Sequence, residues 1–161
     1  MHNSLKQGQR AANHKINTIT KLIIQAKEEL QVALNYARLS ERRYEETGDV
    51  SERKTALRYY GKAWQHINKI IANQETVRWE SRSAASMVQA VHDSSNPAPT
   101  HEEKVHLEAD IRHYEGISKQ ITDEQEAYKR QKSEIMAHVR ALRKASVTTE
   151  NDLADSEAAA V

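Results

Sequence analysis

The chain has no cysteine and no phenylalanine, only two prolines and four glycines in 161 residues, and no long apolar run. Each absence removes a class of explanation. Without cysteine, disulfides, thiol nucleophiles and Cys-type zinc or iron–sulfur sites are excluded. Without phenylalanine, bulk in any core must come from Ile, Leu, Tyr and Trp. Few prolines and glycines leave few places where a helix must stop. No segment approaches the ~18–20 apolar residues of a membrane span. The opening MHNSLKQGQRAANHK has no apolar stretch behind its charges, so it does not read as a secretory signal. The default expectation is a cytoplasmic protein with no membrane span and no cofactor.

What is present points to helix. Hydrophobic residues make up 38% and charged residues 29% of a chain long enough for one domain with its own core. Two breaks divide it. Gly48 can end a helix in the left-handed conformation, and Asp49 with Glu52, or Ser51, can cap the next. The second break is DSSNPAPT at residues 93–100, where Pro97 and Pro99 forbid helix and Thr100 with Glu103 forms a capping box. Helices are predicted at about 12–46, 52–92 and 101–147. Residues 1–11 read as a mobile segment and residues 148–161 as an acidic disordered tail.

Apolar spacing supports the assignment. Ile16, Ile19, Ile23, Ala26, Leu30, Ala33, Ala37, Ser40 and Tyr44 step alternately by three and four along the first helix. Ala56, Tyr60, Ala63, Ile67, Ile70, Gln74, Val77, Ser81, Ala84, Val88 and Val91 do so along the second. The third has one firm row, Leu107, Tyr114, Ile121, Tyr128, Ile135 and Leu142, and a companion row in which Ile111 and Val139 are interrupted by Ser118, Gln125 and Lys132. Such sustained seven-residue repeats imply an all-α, long antiparallel up-down-up three-helix coiled-coil bundle. Folding back at Gly48–Asp49 opposes Ala37 to Tyr60, Ala33 to Trp64, Leu30 to Ile67 and Ala26 to Ile71, small against large. Folding back about the proline linker opposes Trp79 to Tyr114, Ala72 to Ile121 and Ser51 to Leu142.

The portion Ala56-Leu57-Arg58-Tyr59-Tyr60-Gly61-Lys62-Ala63, preceded by Gly48-Asp49, resembles the second helix of a tetratricopeptide repeat. The resemblance covers Leu39 to Trp64 and implies short paired helices that bind a partner peptide. The sequence departs from that pattern. Extra residues separate the Gly-Asp turn from Ala56, no copy follows about 34 residues later, and a lone repeat cannot bury its own face. The corner therefore reads as bundle structure.

Motifs for chemistry are weak. His101-Glu102 followed by His106 is one residue too long for a zinc-protease helix motif, which swings the second imidazole about 140° away. Glu103 with His106 and Asp110 with His113 repeat the Glu-x-x-His spacing of di-iron bundles, but both histidines fall off the apolar row. There is no Gly-rich phosphate loop and no serine in a triad motif. The expectation is no catalytic and no metal residue, and no enzyme.

Charge is the feature with functional edge. A third helix parallel to the first brings Lys129, Arg130, Lys132, Arg140, Arg143 and Lys144 to the same end as Arg38, Arg42, Arg43, Arg53, Lys54, Arg58 and Lys62. Against these stand Glu41, Glu45, Glu46, Asp49, Glu52 and Glu134, while Glu150, Asp152, Asp155 and Glu157 sit in the tail. This basic end is the candidate anion or partner site, and Ser118, Gln125 and Lys132 form a candidate seam for a partner helix. The expected function is that of a scaffold, adaptor or accessory subunit acting through coiled-coil contacts with another protein or a second copy. The alternative is nucleic-acid or anionic-surface binding through the basic end, autoregulated by the acidic tail.

Overall fold

The computed structural model describes the backbone over residues 2–159 and side chains over residues 3–145. The protein is all-α and built from three helices: α1 (His2–Thr47), α2 (Val50–His92) and α3 (His101–Ala159). Among the described residues there is no strand.

The helix boundaries follow local chemistry. Gly48 takes a left-handed φ of 68° and its N–H donates to the Tyr44 carbonyl at 2.7 Å, closing α1. Asp49 then caps α2: its Oδ1 accepts from the Ser51 N–H at 2.9 Å and its carbonyl from Glu52 at 3.1 Å. Thr100 caps α3, its hydroxyl accepting from the Glu103 N–H at 3.2 Å.

Two bounds differ from the sequence reading. α1 begins at His2, with Leu5 buried, so the stretch read as a mobile segment is helix that contributes to a core. A single early Leu between polar residues carries too little periodicity to announce this. The α3 backbone continues to Ala159, past Val147, because no proline or glycine interrupts it. The tail side chains lie outside the described residues.

The chain divides into two compact units, each drawing on all three helices. Unit 1 holds Met1–Lys27 and Asn68–Tyr128. Its core contains Ile16, Ile23, Ile70, Val77, Val88, Leu107, Ile111 and Ile121. Polar side chains set the register. On α1 and α3 the residue numbers rise together, from Gln9 with Asp110 at 3.0 Å and Asn13 with Tyr114 at 2.8 Å to Lys27 with Glu124 at 3.2 Å. On α2 and α3 they run oppositely: Gln74 with Glu124 at 3.1 Å, Arg82 with Ser118 at 3.3 Å, His92 with Glu108 at 3.0 Å. These α2–α3 pairs lie about one and a half to two helical turns from the register given by the midpoint of the proline linker. Trp79 is accordingly 65% exposed rather than set against Tyr114, and Ala72 is exposed. Seam filling, not the centre of the loop, fixes the register.

Unit 2 holds Glu28–Ile67 and Lys129–Val161. Leu30, Ala33, Leu34, Ala37, Ala56, Tyr60, Ala63, Ile67, Ile135, Val139 and Leu142 make its core. The α1–α2 register is close to that read from the Gly48 reversal, with Glu29 against His66 at 3.3 Å and Tyr36 stacked on Tyr59 at 5.1 Å. One expected pair fails. Ala33 is buried, but Trp64 turns to α3, where Lys132 lies 4.7 Å from its ring centroid. Ala63, one position earlier, takes the buried place on α2.

Candidate partner-binding surface

All thirteen basic residues singled out from the sequence lie in unit 2. Its residues up to Ala145 carry thirteen Lys and Arg against eight Asp and Glu, whereas unit 1 carries eleven of each. Arg38 and Arg42 are exposed on α1, Lys54, Arg58 and Lys62 on α2, and Lys129, Arg130, Arg140, Arg143 and Lys144 on α3. Arg53 and Lys132 are half-buried, and Arg43 reaches Glu52 at 3.8 Å.

Two aromatic features punctuate this surface. On the α1–α2 side Tyr36, 50% exposed, stacks on Tyr59, and Arg58 and Lys62 each lie 5.1 Å from the Tyr59 ring centroid. Val32 and Leu39 continue the exposed apolar stripe of Tyr36 along α1, at helical spacing. On the α2–α3 side is a cleft of about 300 Å³ lined by Leu57, Tyr60, Gly61, Trp64, Ile135, Met136, Val139 and Arg143. Trp64 is 36% exposed there.

A partly buried polar network, running from buried Tyr60 to exposed His138, links the three helices of unit 2. The Tyr60 hydroxyl donates to Glu41 at 3.3 Å, and His138 Nδ1 sits 2.9 Å from the same carboxylate while its ring stacks on Tyr60. Burial first, and the Glu41 charge second, push the Tyr60 hydroxyl far above its ordinary pKa. The sequence placed Tyr60 in the core but gave no sign of this network, because Glu41 and His138 each flank an apolar row rather than occupy it.

The proposed seam residues do not share one open face. Ser118 and Gln125 are buried in unit 1, where Ser118 accepts from Arg82 and Gln125 donates to the Ile71 carbonyl at 3.4 Å. Lys132 lies in unit 2 over Trp64. The polar breaks in the α3 pattern are thus filled by contacts within the chain, which periodicity alone cannot distinguish from a free seam. His106 and His113 are exposed, and Asp110 accepts from Gln9. Among the described residues no three His, Cys, Asp or Glu side chains converge as a metal set requires, and no helix is long and apolar enough to cross a membrane.

At the α2–α3 end of unit 1, His92 lies between two carboxylates, 2.8 Å from Asp93 and 3.0 Å from Glu108. Its hydrogen bonds to these groups raise its pKa, and the same contact lowers that of Asp93. Protein-family models, curated proteins and solved structures were all compared with the chain, and none of them matches it.

Proposed function

We propose that the protein is a non-enzymatic helical interaction protein, a scaffold, adaptor or accessory subunit, that docks another protein against unit 2. The observation that carries this reading is the positive surplus of unit 2, set around exposed Tyr36, Leu39 and Trp64, whereas unit 1, which also exposes Leu22, Ile24, Trp79 and Val105, is charge-balanced. Exposed Tyr and Trp with Arg nearby are the side chains that most often anchor protein interfaces. The heptad rows favour coiled-coil packing as the mode of contact.

Site-specific photo-crosslinking from Tyr36 and Leu57 positions in cells tests it, with exposed positions of unit 1 as controls. Protein adducts that form from unit 2 and survive nuclease treatment are the expected outcome. Adducts from both units alike, or none, count against the reading.

A second reading rests on the Tyr36–Tyr59 stack flanked by Arg58 and Lys62, a surface on which unpaired bases can stack. In that case the acidic tail competes for the basic surface, affinity for single strands falls steeply with salt, and the crosslinks vanish with nuclease.

A further inference from the structure

We propose that the α2–α3 cleft of unit 2 is the seat of an acidic amphipathic helix from another protein. This rests on the docking reading and names its site and the chemistry of its occupant. The cleft floor is apolar, made by Leu57, Trp64, Ile135, Met136 and Val139. Leu57 to Trp64 spans two turns of α2, about 10 Å, which matches anchors spaced i, i+3 or i+4, and i+7 on an incoming helix.

Gly61 lies between them, and a Cβ built there meets nothing within 4 Å. Nothing within the chain therefore requires glycine at this helical position, where it costs about 0.5–1 kcal/mol relative to alanine. A backbone bared beside an apolar floor lets a second helix approach closely. Gly116 is equally unobstructed but stands apart from this apolar floor, so the glycine counts only with the floor beside it.

The rim fixes the sign of the partner. Arg143 lines the cleft and Lys132 covers Trp64. From Arg53 to Gln74, α2 carries no acidic residue, and its Arg58 and Lys62 stand over Tyr59 on the α1–α2 side rather than on the rim. Between Lys129 and Ala145 the one acid of α3 is Glu134, about 200° round the helix from Lys132 and so off the cleft side. A nucleic-acid backbone gains nothing from a floor of Leu, Ile, Val and Met. A symmetric pairing of this face with a second copy sets cations against cations.

The test uses the full chain carrying Trp79→Phe, which leaves Trp64 as the sole tryptophan. The probe is a synthetic helix with Leu at alternate third and fourth positions and Glu elsewhere. A scrambled peptide, a Lys-for-Glu peptide and a single-stranded oligonucleotide are the comparisons. Saturable change in Trp64 emission with the acidic helix alone is expected. Gly61→Leu fills the cleft and should weaken binding by about tenfold or more. Because leucine raises helix propensity, unchanged circular dichroism checks that the variant folds. Met136→Glu should weaken binding independently through charge.

The inference is overturned if no saturable change occurs, if the scrambled peptide binds equally, or if Gly61→Leu and Met136→Glu have no effect. It is also overturned if the oligonucleotide shows the same variant sensitivity, or if light scattering reveals a dimer of the free protein that Gly61→Leu dissolves. Unit 2 crosslinks that persist in Gly61→Leu would leave the docking reading standing and remove the cleft as its site.

Discussion

Ser81 is fully buried in the core of unit 1, on the α2 row between Val77 and Ala84, and its hydroxyl has no hydrogen-bond partner. Burying an uncompensated hydroxyl costs roughly 1–3 kcal/mol by mutational measures. Ser81→Ala removes that cost, leaves a void of only one oxygen, and adds up to about 0.5 kcal/mol of helix propensity. The expected outcome is stabilisation by about 1–2 kcal/mol, which for a chain of this size raises Tm by about 2–8 °C.

Ser118→Ala is the control. Ser118 is also buried, but its Oγ accepts from Arg82 Nε at 3.3 Å, so truncation deprives a guanidinium N–H of a partner. That loss, about 1 kcal/mol, is partly offset by propensity, and a neutral to mildly destabilising change is expected. Urea unfolding monitored by circular dichroism measures both, with the slope confirming an unchanged transition. If Ser81→Ala destabilises, or if the two variants behave alike, the hydroxyl of Ser81 has a partner and the reasoning fails.

Further outcomes follow from the same contacts. Tyr60, Tyr114 and Tyr128 all have pKa values raised chiefly by burial, so their neutral forms contribute stability that is intact below the unfolded-chain value of about 10 and lost as pH rises above it. Unfolding midpoints should fall from there upward, and less steeply in Tyr60→Phe; a flat profile would remove the argument. Ala33→Leu should overpack unit 2 by about 1–3 kcal/mol, and its effect should add to that of Trp64→Ala within about 0.5 kcal/mol, since Trp64 faces α3. Strong coupling in that double-mutant cycle would return Trp64 to α1. Deleting residues 1–9 removes buried Leu5 and the Gln9–Asp110 hydrogen bond, and should cost about 2–3 kcal/mol in thermal or urea unfolding. An unchanged Tm would show that the first turns of α1 do not pack.

The sequence by itself determined the helices, their caps and most of their buried rows. Every member of the α2 row from Ala56 to Val88 is buried, polar Gln74 and Ser81 included. This is legible because burial on a helix repeats with the local 3.6-residue period, and because Gly48, Asp49 and Thr100 act on backbone groups within four residues of themselves. The clustering of thirteen basic residues also needed only the chain reversals.

Tertiary structure decided the rest. Trp64 and Trp79 sit at the margin of the apolar stripe, where a rotation of some tens of degrees moves a large ring from one neighbour to another, and only the facing helix settles which. The linker leaves the α2–α3 register free over about two turns, so Ser118 and Gln125 met partners that spacing could not name. The cleft at Gly61 is likewise invisible in sequence: a glycine within a helical pattern reads as a small loss of propensity until the space beside it is known. Period is a property of one helix, whereas register, cavities and polar pairing belong to the contacts among three.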